Sequence, residues 1–274
     1  MVKNFRWPVK AYANDAFLDS REARPLRILS EYLEPDSRFE ELQVSDTIVF
    51  FGSARTLPRD IAEKALEKAR RKKDGLARAE RDLAMSRYYE EARQLAKRLT
   101  HWSKNLEDHR RRFVVCTGGG PGIMEAANRG ASEANGLNVG LSITIPHEPH
   151  YNPHITRELS FEFNYFFMRK FWFLYLAKAL VIFPGGFGTL DELFETLTLI
   201  QTHKLGKTMP IVLFGAEYWN EVIDFEAMVR HGTIDAKDLK LFIKSDSVDE
   251  AFTYITKELE KKALKDPGGK LGGA

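Results

Sequence analysis

The sequence predicts an α/β fold built on a parallel sheet with helices on both faces. Three observations carry this. Short apolar, β-rich runs alternate with segments of helical spacing over most of the chain. The runs are nearly continuous in Val, Ile, Leu and Phe, as strands buried on both faces require. Two of them, Phe113-Val114-Val115-Cys116 and Ala179-Leu180-Val181-Ile182-Phe183, stop at glycine turns that open helices.

Residues 1 to about 24 lack a clear period and read as an extended arm. Pro25 to Leu33 reads as a short helix ahead of Glu34-Pro35. Thr47-Ile48-Val49-Phe50-Phe51 is the first core strand, ending in the small-residue loop Gly52-Ser53-Ala54-Arg55. Residues 59–86 interleave Arg and Lys with Asp and Glu, are rich in Ala, and break near Asp74-Gly75. They read as a solvated helical insertion. Tyr88, Ala92, Leu95, Leu99 and Trp102 share one helical face, so Tyr88 to Leu106 covers the core.

Beyond this point strands and helices alternate. The strands are Phe113–Cys116, Val139–Ile145, Leu180–Phe183, Pro210–Phe214 and Leu241–Ile243. The helices are Ile123–Asn135, Phe163–Lys178, Leu190–His203, Tyr218–Val229 and Val248–Leu264. The expected organisation is an N-terminal arm with a short helix (1–46), one domain (47–264) carrying the insertion at 59–86, and a flexible Gly/Lys-rich tail (265–274).

Composition narrows the function classes. A chain of 274 residues, 43% hydrophobic, can bury a sizeable core. A formal net charge of +2 argues for neither nucleic acid nor membrane as a partner. The single cysteine, Cys116, excludes an internal disulfide and reads as a buried strand thiol. No uncharged run reaches the roughly 18 residues of a membrane span. The N-terminus has no signal-peptide core, so a soluble cytoplasmic protein is expected. No cluster of His, Cys and Asp suggests a metal, and no cofactor is expected.

The glycine turns concentrate the chemistry. Gly118-Gly119-Gly120-Pro121-Gly122 has Ile123 where a dinucleotide fingerprint needs its third glycine, and no Gly-Lys-Ser/Thr follows either turn. A Walker-type phosphate loop is thereby excluded, and a nicotinamide or ATP enzyme is not the natural reading. In Pro184-Gly185-Gly186-Phe187-Gly188-Thr189-Leu190-Asp191-Glu192, the glycines allow backbone to approach an anion. Thr189 is placed to cap the next helix. Glu192 falls opposite the apolar face of Leu190, Leu193, Phe194 and Leu197, outside the main core. Arg169 lies in the aromatic stretch Phe166–Leu176, sharing a face with Phe166, Trp172, Phe173 and Leu176. An arginine there needs an anionic partner: a structural salt bridge, or else a bound phosphate or the Glu192 region. A helix apolar all round also suits a subunit interface.

Gly118–Met124, Met168-Arg169-Lys170 and Pro184–Glu192, in this order, resemble the LOG ("Lonely guy") family of nucleotide 5′-monophosphate nucleosidases. The likeness runs from about Thr47 to Leu259. It is nearest to the longer bacterial members, and departs from the usual pattern in the arm and in residues 59–86. The resemblance implies a Rossmann-like, doubly wound fold and a homodimer or higher homo-oligomer with the site near the subunit interface. It implies hydrolysis of a nucleoside 5′-monophosphate, of AMP or cytokinin riboside type, to free base and ribose 5-phosphate. Arg169 and Glu192 match the family's catalytic pair, and Gly185, Gly186, Gly188 and Thr189 its phosphate loop. Gly119, Gly120, Gly122, Met124, Lys170 and Ser53 are assigned to substrate binding beside them. Glu192, in its helix's first turn, is expected to stay ionised. An older label for this family, lysine decarboxylase, fits poorly, since no pyridoxal-lysine signature is present.

Two other readings stand beside this one. Molybdenum-cofactor carriers resemble the same family and use a glycine-rich anion cleft. Arg70-Arg71-Lys72-Lys73 offers a weaker case for nucleic acid. Base-pocket residues are expected in loops such as Pro146–Pro153, where His147, His150 and Tyr151 read either as ring contacts or as ordinary surface residues, and the sequence does not select the base.

Overall fold

A computed structural model describes residues 8–106, 108–144, 152–207 and 209–269. After a four-residue helix α1 (Asp15–Leu18) and α2 (Arg24–Glu41), the order is β1 (Thr47–Phe51), α3 (Arg59–Lys72), α4 (Leu76–Lys104), β2 (Val114–Thr117), α5 (Ile123–Glu133) and β3 (Asn138–Ile143). There follow β4 (Ser160–Phe163), α6 (Phe166–Tyr175), β5 (Ala177–Ile182), α7 (Phe187–Gln201), β6 (Ile211–Phe214), α8 (Ala216–Val222), α9 (Phe225–Arg230), β7 (Ile243–Ser245) and α10 (Val248–Lys262). The strands form one sheet in the order β4-β3-β2-β1-β5-β6-β7, and each pairing is parallel. The fold is α/β and Rossmann-like.

Side-chain alternation decides which helices cover which face. Val49 and Phe51 of β1, with Leu180 and Ile182 of β5, point into a core closed by α2, α6, α7, α8 and α9. Ile48 and Phe50, with Val181 and Phe183, point into the opposite core under α4, α5 and α10. The strands β1, β2, β5 and β6 are buried on both faces, so their continuous apolar runs follow from the period of two.

The structure departs from the expected elements at several places. The helix at Pro25 extends through Pro35 to Glu41. Proline removes the bond that the Glu31 carbonyl would have received, and the Trp172 indole N–H takes its place at 2.9 Å. The charged stretch 59–86 forms a helical hairpin turning at residues 73–75, but its second helix, α4, runs on unbroken for 29 residues from Leu76 to Lys104. Its first part pairs with α3 through Leu66, Ala69, Ala79 and Leu83, and its second part covers the sheet with Tyr89, Leu95 and Leu99. β4 is an unforeseen edge strand. The helix expected over Tyr218–Val229 breaks where Asp224 accepts the Ala227 N–H at 2.8 Å and starts α9.

The tail is docked as far as the described residues extend. Asp46, fully buried, pairs with Arg112 and accepts the Gly268 N–H at 3.0 Å. Lys178 Nζ donates to the Asp266 carbonyl at 2.8 Å. Paired buried charges at the amino ends of the strands are thus closed over by the tail, whose backbone adds further hydrogen bonds to them.

Candidate active site

In an open α/β sheet, ligands bind beyond the carboxyl ends of the strands where the strand order reverses. Here that point lies between β1 and β5. The loop after β1 joins both glycine turns: Ser53 N–H donates to Pro184 O at 2.9 Å, and Ser53 O accepts the Ile123 N–H at 3.1 Å. Ser53 is therefore a backbone brace, and its hydroxyl is engaged by the Arg55 N–H at 3.1 Å.

The first turn is shaped by close approach. Gly119 and Gly122 have φ of +72° and +70°, which only glycine adopts at little cost. Any side chain at Gly122 would run into the Ser53 carbonyl. A methyl at Gly118 would come within 2.5 Å of Arg169 Nη2 and 2.8 Å of Met124 Sδ. The turn thus forms a slot for the Arg169 guanidinium. A buried network fixes it from below: Gly119 N–H donates to Thr117 Oγ1 at 3.0 Å, Thr117 Oγ1 to Asn128 Oδ1 at 2.6 Å, and Asn152 Nδ2 to the same oxygen at 3.0 Å. Gly120 lies half-buried at its rim.

Arg169 is brought to this slot by α6, which is held at both ends. Glu31 of α2 accepts the N–H groups of Asn164 (2.8 Å) and Tyr165 (3.2 Å) at its start. Lys207 Nζ donates to Leu174 O (2.8 Å) and Tyr175 O (2.7 Å) at its end. Arg169 Nε donates to Leu141 O of β3 at 2.8 Å, and its guanidinium lies 5.0 Å from the Phe173 ring centre.

Helix α7 begins three residues before the expected start, with Gly186 as its N-cap and no side-chain cap. Thr189 is accordingly not the cap. It lies buried in the first turn, its hydroxyl packed where a Gly185 side chain would stand. The first backbone bond across the turn runs from Leu190 N–H to Gly186 O at 3.0 Å, leaving the N–H groups of Phe187, Gly188 and Thr189 ahead of it. Gly186 and Gly188 are exposed, and a Cβ on either would meet nothing within 4 Å.

Glu192 departs most from expectation. It lies in the second turn of α7, is only 6% exposed, and its Oε2 is enclosed without a hydrogen-bond partner among the described residues. Burial pushes its carboxyl up from 4.5 to about 7; Arg169 opposes the rise, Glu195 adds to it and Lys170 opposes it. Desolvation outweighs the helix dipole, which falls off beyond the first turn. Lys170, expected at the substrate, has its ammonium on α7 instead, 2.7 Å from Asp191 Oδ2 and 3.1 Å from Glu195 Oε2. It pins α6 to α7 and so sets Arg169 against Glu192.

His147, His150 and Tyr151 lie outside the described residues. Among the described residues no group of three or more His, Cys, Asp or Glu is arranged to hold a metal ion, and no helix is long and apolar enough to cross a membrane. Sequence reasoning missed Tyr218, whose hydroxyl donates to Gly185 O at 2.6 Å.

Residues 124–255 match a family model described as possible lysine decarboxylase. A curated protein, the probable cytokinin riboside 5′-monophosphate phosphoribohydrolase LOG4 of Oryza sativa subsp. japonica, is 30% identical over 93 residues. The match covers 34% of this chain and 40% of that protein, so well under half of the relative is spanned. Among solved structures, TM1055, a structural-genomics target, is 19% identical with a TM-score of 0.46, over 77% of this chain and 99% of its own. The molybdenum-cofactor carrier protein of Chlamydomonas reinhardtii is 19% identical with a TM-score of 0.46, over 79% and 99%. Residues 124–255 are thus similar to that family model and a 93-residue stretch is similar to LOG4, each under half of this chain.

Proposed function

We propose that the protein hydrolyses the N-glycosidic bond of nucleoside 5′-monophosphates to free base and ribose 5-phosphate. The observation that carries this reading is Glu192, a buried carboxyl titrating at about 7 beside Arg169, one turn from a glycine-built helix N-terminus. Breaking the C1′–N bond develops positive charge on the ribose. A carboxylate that is half ionised near neutrality has the basicity to take a proton from water and the charge to stabilise that ribose. Arg169 keeps part of the Glu192 population ionised. The N–H groups of Phe187, Gly188 and Thr189 receive the 5′-phosphate, supplying remote binding energy that positions C1′. Similarity to LOG4, named for cytokinin riboside 5′-monophosphate, supports that substrate class.

The reading includes a homodimer. Phe166 and Phe167 are each 55% exposed and Phe187 is 93% exposed, which leaves apolar surface at the ends of the two helices bearing Arg169 and Glu192.

Chromatographic detection of free base tests the activity. Release from AMP or a related monophosphate, with poor release from the unphosphorylated nucleoside, is the expected result. Retention of a pterin with no base released from any monophosphate would support a carrier on the same scaffold instead.

A further inference from the structure

Three successive carbonyls of the second glycine turn are each held by a partner. Pro184 O accepts the Ser53 N–H at 2.9 Å, Gly185 O accepts the Tyr218 hydroxyl at 2.6 Å, and Gly186 O accepts the Leu190 N–H at 3.0 Å. In a planar trans peptide the N–H points opposite to the C=O. Tethering these carbonyls therefore aims the N–H groups of Gly185, Gly186 and Phe187 away from their tethers. Two tethers are backbone groups, and only one is a side chain.

That side chain is rigidly mounted. Tyr218 sits in α8, whose N-cap Gly215 adopts φ +93° and packs so close to the Pro184 ring that a Cβ there would lie 3.1 Å from it. The Tyr218 ring meets Trp219 edge-on at 5.1 Å, and the Trp219 indole is anchored on Phe214 O at 2.9 Å. Burial raises the Tyr218 phenol above its usual range, so it stays a donor at neutral pH. Gly185 needs such a tether because a glycine pair rotates freely.

We infer that Tyr218 is a positioning residue for phosphate: by holding the Gly185 carbonyl it turns the Gly186 N–H toward the anion-binding end of α7. This rests on the reading of Pro184–Thr189 as the phosphate turn, beside the enclosed Glu192 Oε2, which has no hydrogen-bond partner among the described residues. Tyr218 does not touch the reacting atoms, so its loss acts on anion affinity and not on the chemical step.

The test is calorimetric titration of the full chain with inorganic phosphate and with ribose 5-phosphate, for wild type and Tyr218→Phe. Both anions should bind roughly three- to tenfold more weakly to the variant, the worth of one hydrogen bond. KM for a nucleoside monophosphate should rise by the same factor with kcat unchanged, and turnover of the unphosphorylated nucleoside should not move. Equal phosphate affinity in the two proteins overturns the inference while leaving the nucleosidase reading intact. If the wild type binds phosphate but releases no base, the nucleosidase reading is overturned, and weaker phosphate binding by Tyr218→Phe still supports the inference while equal binding overturns it. A wild type that binds neither anion overturns both. Tyr218→Met, which also lacks the hydroxyl, is the second variant; if neither folds, the hydroxyl is a stability element and the inference fails.

Discussion

Replacing Glu192 by Gln should stabilise the protein at alkaline pH while removing its activity. The wild-type carboxyl titrates at about 7 folded against 4.5 when unfolded, chiefly through burial. Between those values the folded state holds a proton that the unfolded state has released. Stability therefore falls as pH rises through this window and levels off above 7. At about 1.4 kcal/mol per factor of ten, the full penalty is about 3 kcal/mol. Glutamine mimics the protonated form and escapes it. The variant should thus melt about 6–12 °C above wild type at pH 8, using 2–4 °C per kcal/mol for a chain of this size, and much closer to it at pH 5. Circular-dichroism melts of both proteins at pH 5, 6, 7 and 8 read this directly. Base release from AMP should fall by roughly 10²- to 10⁴-fold over the same series. A melting difference independent of pH would refute the burial argument, and undiminished turnover would refute the catalytic assignment.

Other consequences can be measured as simply. Gly118→Ala places a methyl 2.5 Å from Arg169 Nη2, and displacing the guanidinium should lower kcat/KM by about tenfold to a hundredfold with little change in melting; unchanged kinetics would show that the slot is not needed. Removing residues 265–274 withdraws the Gly268 N–H from Asp46 and the Asp266 carbonyl from Lys178. It should cost about 1–3 kcal/mol in urea unfolding, and an unshifted midpoint would mean that water replaces the tail without loss.

The sequence made the strands legible because burial on both faces demands uninterrupted β-branched and apolar residues, as in Ile48-Val49-Phe50-Phe51 and Leu180-Val181-Ile182. β4 escaped because an edge strand, Ser160-Phe161-Glu162-Phe163, needs apolar residues at alternate positions only. The start of α7 escaped because two glycines carry no helical signal; packing against Gly185 sets it. Arg169 and Glu192 were visible as chemistry, but their electrostatics were not. A helical wheel places Glu192 away from the main apolar face, and the cover that buries it comes from other parts of the fold. Tyr218 was invisible for a similar reason: its partner is a backbone carbonyl 33 residues away, which no side-chain pattern announces.

The placement of Glu31 alters what the N-terminal region is. Its carboxylate receives the N–H groups of Asn164 and Tyr165, which lead into α6, and its carbonyl receives the Trp172 indole, so one residue outside the sheet braces both the entry to and the middle of the helix that carries Arg169. Excising residues 1–46 as a dispensable appendage would therefore be a lesion in the cleft itself, although α2 never reaches it. A series of progressively shortened N-termini should lose turnover abruptly at Glu31, while the sheet beneath continues to fold.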